Sequence, residues 1–251
     1  MKKISATIIT YNEEKNIERC LKSLQGVVEE IIVVDSYSTD KTIEICNKYN
    51  AKVFQNAFNG YSQQKNFATS KSSFDLILSL DADEAISEKL KTSILEVKNN
   101  WKYNAYNFNR ITNFCGNWIK HGGWYPDKQL RLWDKNWGDW NKSKIHEKIE
   151  LKQDARLGHL KGNLLHYSYY TIAEYINQIN KFSDLKVDEL IRKGKKPDIL
   201  KLTFKPFIKF IINYFVKKGI LDGYYGFVLA ISSAYADFIT YVKLKHKLKN
   251  I

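Results

Sequence analysis

The sequence predicts an α/β fold: a mostly parallel sheet flanked by helices, followed by a helical C-terminal extension. Three observations predict it. Over residues 1–100, short apolar or β-branched runs alternate with segments of helical spacing, as in a parallel sheet joined by crossover helices. Polar, acid-rich clusters follow directly on three of those runs. Past Thr171 the spacing turns helical throughout and lysines accumulate.

Ile4–Thr10 reads as a buried strand, ended by Tyr11-Asn12-Glu13-Glu14. Ile17, Leu21 and Leu24 then recur at helical spacing. Glu30–Asp35 is a continuous β-branched run, typical of a central parallel strand. Ser36–Asp40 is a polar loop, with Asp40 placed to cap a helix over Lys41–Tyr49. Lys52–Phe54 is a short third strand, Gln63–Ser70 a helix, and Asp75–Leu80 a further buried strand. That strand runs into Asp81-Ala82-Asp83-Glu84, followed by a helix over Ser87–Asn99. In parallel sheets ligands bind beyond the carboxyl ends of the strands. Thr10–Glu13, Asp35–Asp40 and Asp81–Glu84 therefore converge on one rim.

From Trp101 to Tyr170 the chain is aromatic and holds all six tryptophans. Short strands fit best there, at Ala105–Ile111, Gln129–Trp133 and Asn163–His166. A helix follows over Thr171–Arg192, then a basic linker, Lys193–Asp198. Phe204, Phe207, Ile208, Ile211, Ile212 and Phe215 share one helical face edged by Lys201, Lys205 and Lys218. A last helix covers Tyr224–Leu248. The expected boundaries are 1–170 for a catalytic domain, divided at residue 100, and 171–251 for a basic, membrane-proximal extension. No internal repeat is present.

The chain has 251 residues, of which 44% are hydrophobic, 14% aromatic and 27% charged, values that exclude a disordered or collagen-like protein. The net charge of +13 points to a polyanionic partner. Residues 186–251 hold 14 basic and 5 acidic side chains, so most of the excess lies there. It is nearly all lysine, without a nucleic-acid motif, which argues against nucleic acid. Apolar helical faces edged by lysines suit an anionic membrane surface, with packing on the core as the alternative. Cys20, Cys46 and Cys115 are scattered, without metal-ligand spacing, which fits a reducing compartment. The N-terminus turns polar by Tyr11 and lacks the apolar core of a signal peptide. Gly223–Ala236, the longest uncharged apolar-rich window, is shorter than the ~20 residues a bilayer needs, so no spanning helix is expected.

Asp81-Ala82-Asp83 carries the sharpest chemical signal. Two carboxylates two apart, at the end of a buried strand, suit an oxygen-loving Mg²⁺ or Mn²⁺ that would hold a diphosphate leaving group. A solvated acidic turn capping the next helix is the alternative, and the strand context favours the metal.

Together ATIITYNEEKNIERCL, EIIVVDSYSTDKT, GYSQQKNFA and ILSLDADE resemble the family 2 glycosyltransferases, of GT-A (Rossmann-like) fold. GGWYPDKQLRLW, KIHEKIE and KPFIKFIINYFVKKGILDGYYGF resemble a narrower group, the transferases that add β-linked glucose to heptose of the lipopolysaccharide inner core. The resemblance implies roles. Thr10, Tyr11, Asn12 and Glu13 match the loop that wraps the nucleotide base and ribose. Asp35 matches the residue that reads the base, although Ser36 stands where many relatives have a second aspartate. Lys65 matches a basic position near the diphosphate, Asp81 a position near the ribose, and Asp83 the main metal ligand. Arg131, with Gln129, resembles a Q-x-R-L motif placed to hold diphosphate or an acceptor anion.

An inverting transferase needs a carboxylate to take the acceptor's proton. Glu147 and Asp127 are the candidates. His146 is a third metal ligand, a phosphate contact or a structural histidine. Trp124 and Tyr125 flank a glycine-rich turn and suit stacking on an acceptor sugar. The other tryptophans are expected in the core. The resemblance thus implies a metal-dependent enzyme that uses UDP-glucose and a lipid-linked heptose acceptor, peripheral at the cytoplasmic face of the inner membrane. Other acceptors (a capsule glycan, a polyprenyl phosphate, a peptide) remain open. A nucleotidyltransferase would want a glycine-rich phosphate loop where this chain has TYNEE. A non-enzymatic membrane-binding protein would not need the Asp81/Asp83 pair.

Overall fold

The computed structural model describes residues 1–141 and 147–249. The elements run β1 (Ile4–Thr10), α1 (Ile17–Leu24), β2 (Glu30–Asp35), α2 (Thr42–Lys48), β3 (Lys52–Gln55), α3 (Tyr61–Ser70), β4 (Leu76–Asp81), β5 (Glu84–Ile86), α4 (Glu88–Asn99), β6 (Ala105–Phe114), β7 (Asn117–Ile119), β8 (Asp127–Asp134), β9 (Gly138–Trp140), β10 (Ile149–Leu151), β11 (Leu157–Tyr169), α5 (Ile172–Arg192), α6 (Ile199–Ile211) and α7 (Gly223–Lys249). The main sheet has the order β3-β2-β1-β4-β8-β6-β11-β5, with β7 on β6. Its first four strands are parallel, and β4–β8, β8–β6 and β11–β5 are antiparallel. The α/β architecture is the expected one. The three-residue strands β5, β7, β9 and β10 carry too few residues to show a period, and none is legible in the sequence.

Two compact units divide the chain: residues 1–110 with 127–167, and 111–126 with 168–251. This differs from a boundary at residue 170. The sequence boundary follows the change of hydrophobic period, whereas residues 111–126 bury Phe114 and Ile119 with the C-terminal helices.

In the first unit, β1 and β4 are buried along nearly their whole length, and α1 adds Ile17, Cys20, Leu21 and Leu24 to the same core. Ser87 caps α4, accepting from the Leu90 amide at 3.3 Å, and exchanges two further hydrogen bonds with Asn163 of β11. Gly162 precedes that contact at φ +101°, with the Leu90 amide only 2.3 Å from where a Cβ would stand, so no other residue fits.

In the second unit Phe114 sits among Trp124, Tyr169, Tyr175 and Tyr225 in edge-to-face contacts. A capping box, Thr171 with Glu174, opens α5. One face of α7 is held to α5 and α6 by charge: Lys243 meets Asp184 at 2.8 Å, and Asp237 meets Lys186 at 3.5 Å and Lys205 at 3.2 Å. A π-helical turn (Ile212–Val216) and a 3₁₀ turn (Gly219–Asp222) join α6 to α7. The uncharged run Gly223–Ala236, bounded by Asp222 and Asp237, stays as short as expected, but the helix that holds it is longer. Gly219–Lys249 is long and apolar enough to span a bilayer by length and composition, with a mean hydropathy of 1.3 over an 18-residue window.

Candidate functional site

Strand register builds the rim. Thr10 pairs with Asp35 across β1–β2, and Ile9 pairs with Asp81 across β1–β4, so the three polar clusters end level. Asn12 adopts the left-handed region (φ 53°), which asparagine tolerates. Its side chain accepts from the Thr39 amide at 2.8 Å, and its own amide donates to Ser38 Oγ at 2.8 Å. Glu13 N donates to Thr42 Oγ1, also at 2.8 Å. The loops after β1 and β2 are thereby locked together, leaving Tyr11 exposed and Thr10 buried with an unpartnered hydroxyl. Asp35 is fully buried, and its carboxylate accepts from the Ser38 amide and hydroxyl. Asp40 accepts from the Thr42 amide, as a cap should.

Below the rim, Asp81 gathers two cations. Lys65 Nζ lies 2.9 Å from Oδ1, and Arg131 Nη2 lies 3.1 Å from Oδ2. Both are buried; the side chain of Lys65 is 1% exposed and that of Arg131 5%. Burial would raise the Asp81 carboxyl, but the Lys65 and Arg131 charges outweigh it and hold it well below the usual carboxylate range. Burial, then the neighbouring Arg131 charge, pull Lys65 down against Asp81. Trp140 lies against both cations, its ring 4.5 Å from Lys65 Nζ and 5.2 Å from the Arg131 guanidinium carbon. It is held there by a reciprocal pair with Asn66 of α3, one residue beyond Lys65. Arg131 Nε and Nη1 are buried without hydrogen-bond acceptors, an arrangement that calls for an anion.

The charges continue. Arg131 reaches Glu84 at 3.7 Å, and Arg110 bridges Glu84 (3.3 Å) and Asp127 (2.8 Å). Asp127 also accepts from Arg110 Nε at 2.9 Å and from Gln129 at 2.8 Å. Glu147 stands 3.8 Å from Lys65 Nζ, on the Asp81 side of the network.

Asp83 turns to His166, whose Nε2 is 3.1 Å from Oδ2. The β5–β11 pairing puts His166 opposite Glu84, and the Tyr167 amide donates to the Asp83 carbonyl. Burial lowers the His166 pKa, but the Asp83 hydrogen bond and the charges of Asp83 and Glu84 raise it more. Glu13 is raised as well, first by burial and then by Asp83, Asp40 and Asp81, against the Asn16 hydrogen bond. A carboxylate and an imidazole facing each other are donors that suit a divalent cation, although no group of three or more His, Cys, Asp and Glu comes together among the described residues.

Most expected site residues therefore gather on this unit. Arg110 and His166 are unexpected members, and Glu84 takes part beyond its place in the expected rim cluster. Glu84 had a signal, since it directly follows Asp83; Arg110 and His166 sit on strands whose sequence carries none. His146 lies outside the described residues. Trp133 and Trp140 are buried, as expected of most of the tryptophans, whereas Trp101, Trp118 and Trp137 are half-buried. Trp124, expected to stand clear of the core, instead packs edge-on against Phe114, Tyr169 and Tyr175 in the second unit, because an indole beside that aromatic cluster gains more from ring contact than from water. Tyr125 lies beside it, joined to Pro126 by a cis peptide bond.

Carboxylates and buried cations thus meet beyond the strand ends of a mostly parallel sheet, where such folds bind their ligands. The Glycosyl transferase family 2 model matches residues 5–155, and the chain belongs to that family. It is 32% identical to an uncharacterized glycosyltransferase of Rickettsia typhi, over 98% of this chain and 87% of that one. It is 31% identical to the lipopolysaccharide core biosynthesis glycosyltransferase LpsC of Rhizobium meliloti, over 98% of this chain and 94% of that one. Among solved structures it is similar to S. aureus TarS 1–349 in complex with UDP-GlcNAc, with a TM-score of 0.49 and 17% identity over 99% of this chain and 92% of that one.

Proposed function

We propose that this glycosyltransferase moves glucose from UDP-glucose, with inversion, to a heptose of a lipid-linked lipopolysaccharide core at the cytoplasmic face of the inner membrane. One observation carries the reading: two buried cations converge on Asp81, and Arg131 keeps two donors without acceptors, beside a separate Asp83–His166 pair. Buried, unsatisfied guanidinium donors suit a diphosphate, whose charge grows as the glycosidic bond breaks. The full-length similarity to LpsC supports a core acceptor.

In this reading Thr10, Tyr11, Asn12 and Glu13 surround the base and ribose, with Asp35 bracing the turn at Ser38. Asp81 orients Lys65 and Arg131 as well as approaching the ribose. Asp83 and His166 would hold Mn²⁺ or Mg²⁺, with His146 a further candidate. Such an ion supplies neutralisation of the departing diphosphate. Lys65 and Arg131 provide fixed positive charge for the same oxygens, and Trp140 keeps water from their apolar sides. Glu147, beside Lys65, is the first candidate to take the acceptor's proton. Asp127 is the second, because both of its oxygens are already engaged, Oδ2 by Arg110 and Oδ1 by Gln129.

The test is a donor screen that reads nucleoside diphosphate release with and without Mn²⁺, followed by an acceptor screen with truncated core oligosaccharides. UDP-glucose turnover that needs the metal and a heptose-bearing acceptor is the expected result. Metal-independent turnover would remove the cation from the scheme, and transfer only to glycans lacking heptose would remove the core assignment.

A further inference from the structure

Within the second unit, α6 packs beside α7 yet contributes no buried residue. Its exposed apolar residues Leu200, Phe204, Phe207 and Ile208 recur at spacings of three and four, which places them on one stripe. Helix α7 carries a second stripe at the same spacings: Tyr224, Phe227, Ile231, Tyr235 and Phe238, all exposed. On the α7 stripe, the Phe227 ring lies 6.0 Å from Phe210 at the end of α6 and 5.6 Å from Tyr214 in the turn that follows. The connecting turns add Phe215, Val216 and Leu221, which are 52%, 70% and 64% exposed. Exposed apolar residues gathered this densely on two neighbouring helices and the turns between them mark a binding face.

Charge identifies the partner. Lys195, Lys196, Lys201, Lys217 and Lys218 are exposed around the two stripes. The two acids of the same stretch are engaged locally. Asp198 caps α6 and pairs with Lys201 at 3.1 Å, and Asp222 accepts from the Lys120 and His121 amides. Apolar rings rimmed by exposed lysines suit an anionic bilayer surface, where the rings enter the headgroup–acyl boundary and the ammonium groups stay with phosphates.

The geometry also chooses between lying on a bilayer and crossing it. Opposite its exposed stripe, α7 buries Gly226, Leu229, Ala230, Asp237, Thr240 and Leu244. There Asp237 meets Lys186 and Lys205, Lys243 meets Asp184, and Lys247 meets Asp188. Crossing would pull these pairs and the charged helix α5 into hydrocarbon, a costly move for every charge.

We infer that the paired stripes of α6 and α7 form an in-plane docking face for an anionic lipid bilayer. This rests on the proposed function only in giving a lipid-borne acceptor a surface to sit in; vesicle binding and UDP release are separate readouts, so either can fail without the other.

The test compares the full chain with a Phe204→Ser, Phe207→Ser and Leu221→Ser triple variant, whose side chains are exposed and leave the core intact. Flotation is read on phosphatidylcholine vesicles with and without about 30 mol % phosphatidylglycerol. The wild type is expected to float only with the anionic vesicles and to be released by alkaline carbonate without detergent. The variant is expected to bind about tenfold or more weakly, with UDP release unchanged. Three results would overturn the inference. One is failure of the wild type to float, or equal binding by the variant. Another is retention after carbonate, the behaviour of a spanning helix. The third is a wild-type dimer in solution that the triple variant dissociates, without vesicle binding.

Discussion

Asp81 is held by Lys65 and Arg131 at once, while Asp83, two residues on, faces His166 instead; one short motif is thereby divided between an ion-pair network and a carboxylate–imidazole pair. The division predicts different behaviour at its two ends. Asp83→Ala should cost about 10²-fold or more in metal-dependent turnover, as expected when a metal ligand to a leaving group is lost, with unchanged circular dichroism. His166→Ala should act in the same direction and raise the Mn²⁺ concentration needed for half-maximal rate. Near-normal turnover for Asp83→Ala would remove it as a ligand. The base is separated by a second pair of variants. Glu147→Gln is expected to reduce turnover by about 10²–10⁴-fold at little cost in donor affinity, whereas Asp127→Asn, which keeps the shape facing Arg110, should reduce it less. The reverse ranking in steady-state kinetics would move the base to Asp127.

Among elements, the join of α6 to α7 is the tightest. A Cβ on Gly226 would stand 1.8 Å from the Gly219 carbonyl oxygen, and that oxygen belongs to backbone that cannot swing aside. Gly226→Ala should therefore pry α7 from the 3₁₀ turn and destabilise the protein by about 1–3 kcal/mol or more, as overpacking does. Limited proteolysis should then cut near residues 212–222 before the rest of the chain; a wild-type pattern would show that the turn gives way without cost. The same logic explains why these helices were legible only in part. The stripes of α6 and α7 follow helical spacing and stand out in the sequence, but residues 111–126, which join their unit, read as strand and turn.

Over the whole molecule, Glu30 is the clearest stabilising charge. It accepts from Ser5 Oγ at 2.6 Å and from the Ser73 amide and hydroxyl, and it pairs with Lys52 at 2.7 Å, tying together β1, β2, β3 and the turn before β4. Burial would raise its pKa, but those hydrogen bonds bring it down to about 2. A carboxyl depressed on folding stabilises the native state at pH values above its unfolded pKa, and that contribution is lost as pH falls through the folded value. Glu30 should thus support the fold fully above about pH 4.5 and progressively less toward pH 2. Glu30→Gln should lower urea stability by about 1–3 kcal/mol near neutrality, and the gap from wild type should close across that window. A gap independent of pH would mean that Glu30 acts by shape alone.

By itself the sequence determined the alternation of strands and helices, the three polar clusters at strand ends, the family, and the gathering of lysines after residue 185. These are local properties: side-chain period, β-branching and turn chemistry act over a few residues and survive in one dimension. Only the tertiary structure decided that Asp81 would be neutralised by two buried cations, that Asp83 would meet a histidine 83 residues away, and that Arg110 would link Glu84 to Asp127. Those contacts depend on the register of antiparallel strands β8, β6 and β11, which is set by packing across the sheet and leaves no mark at the residues concerned. The same holds for the lysines: composition located them, but folding chose which apolar faces of α6 and α7 they would surround.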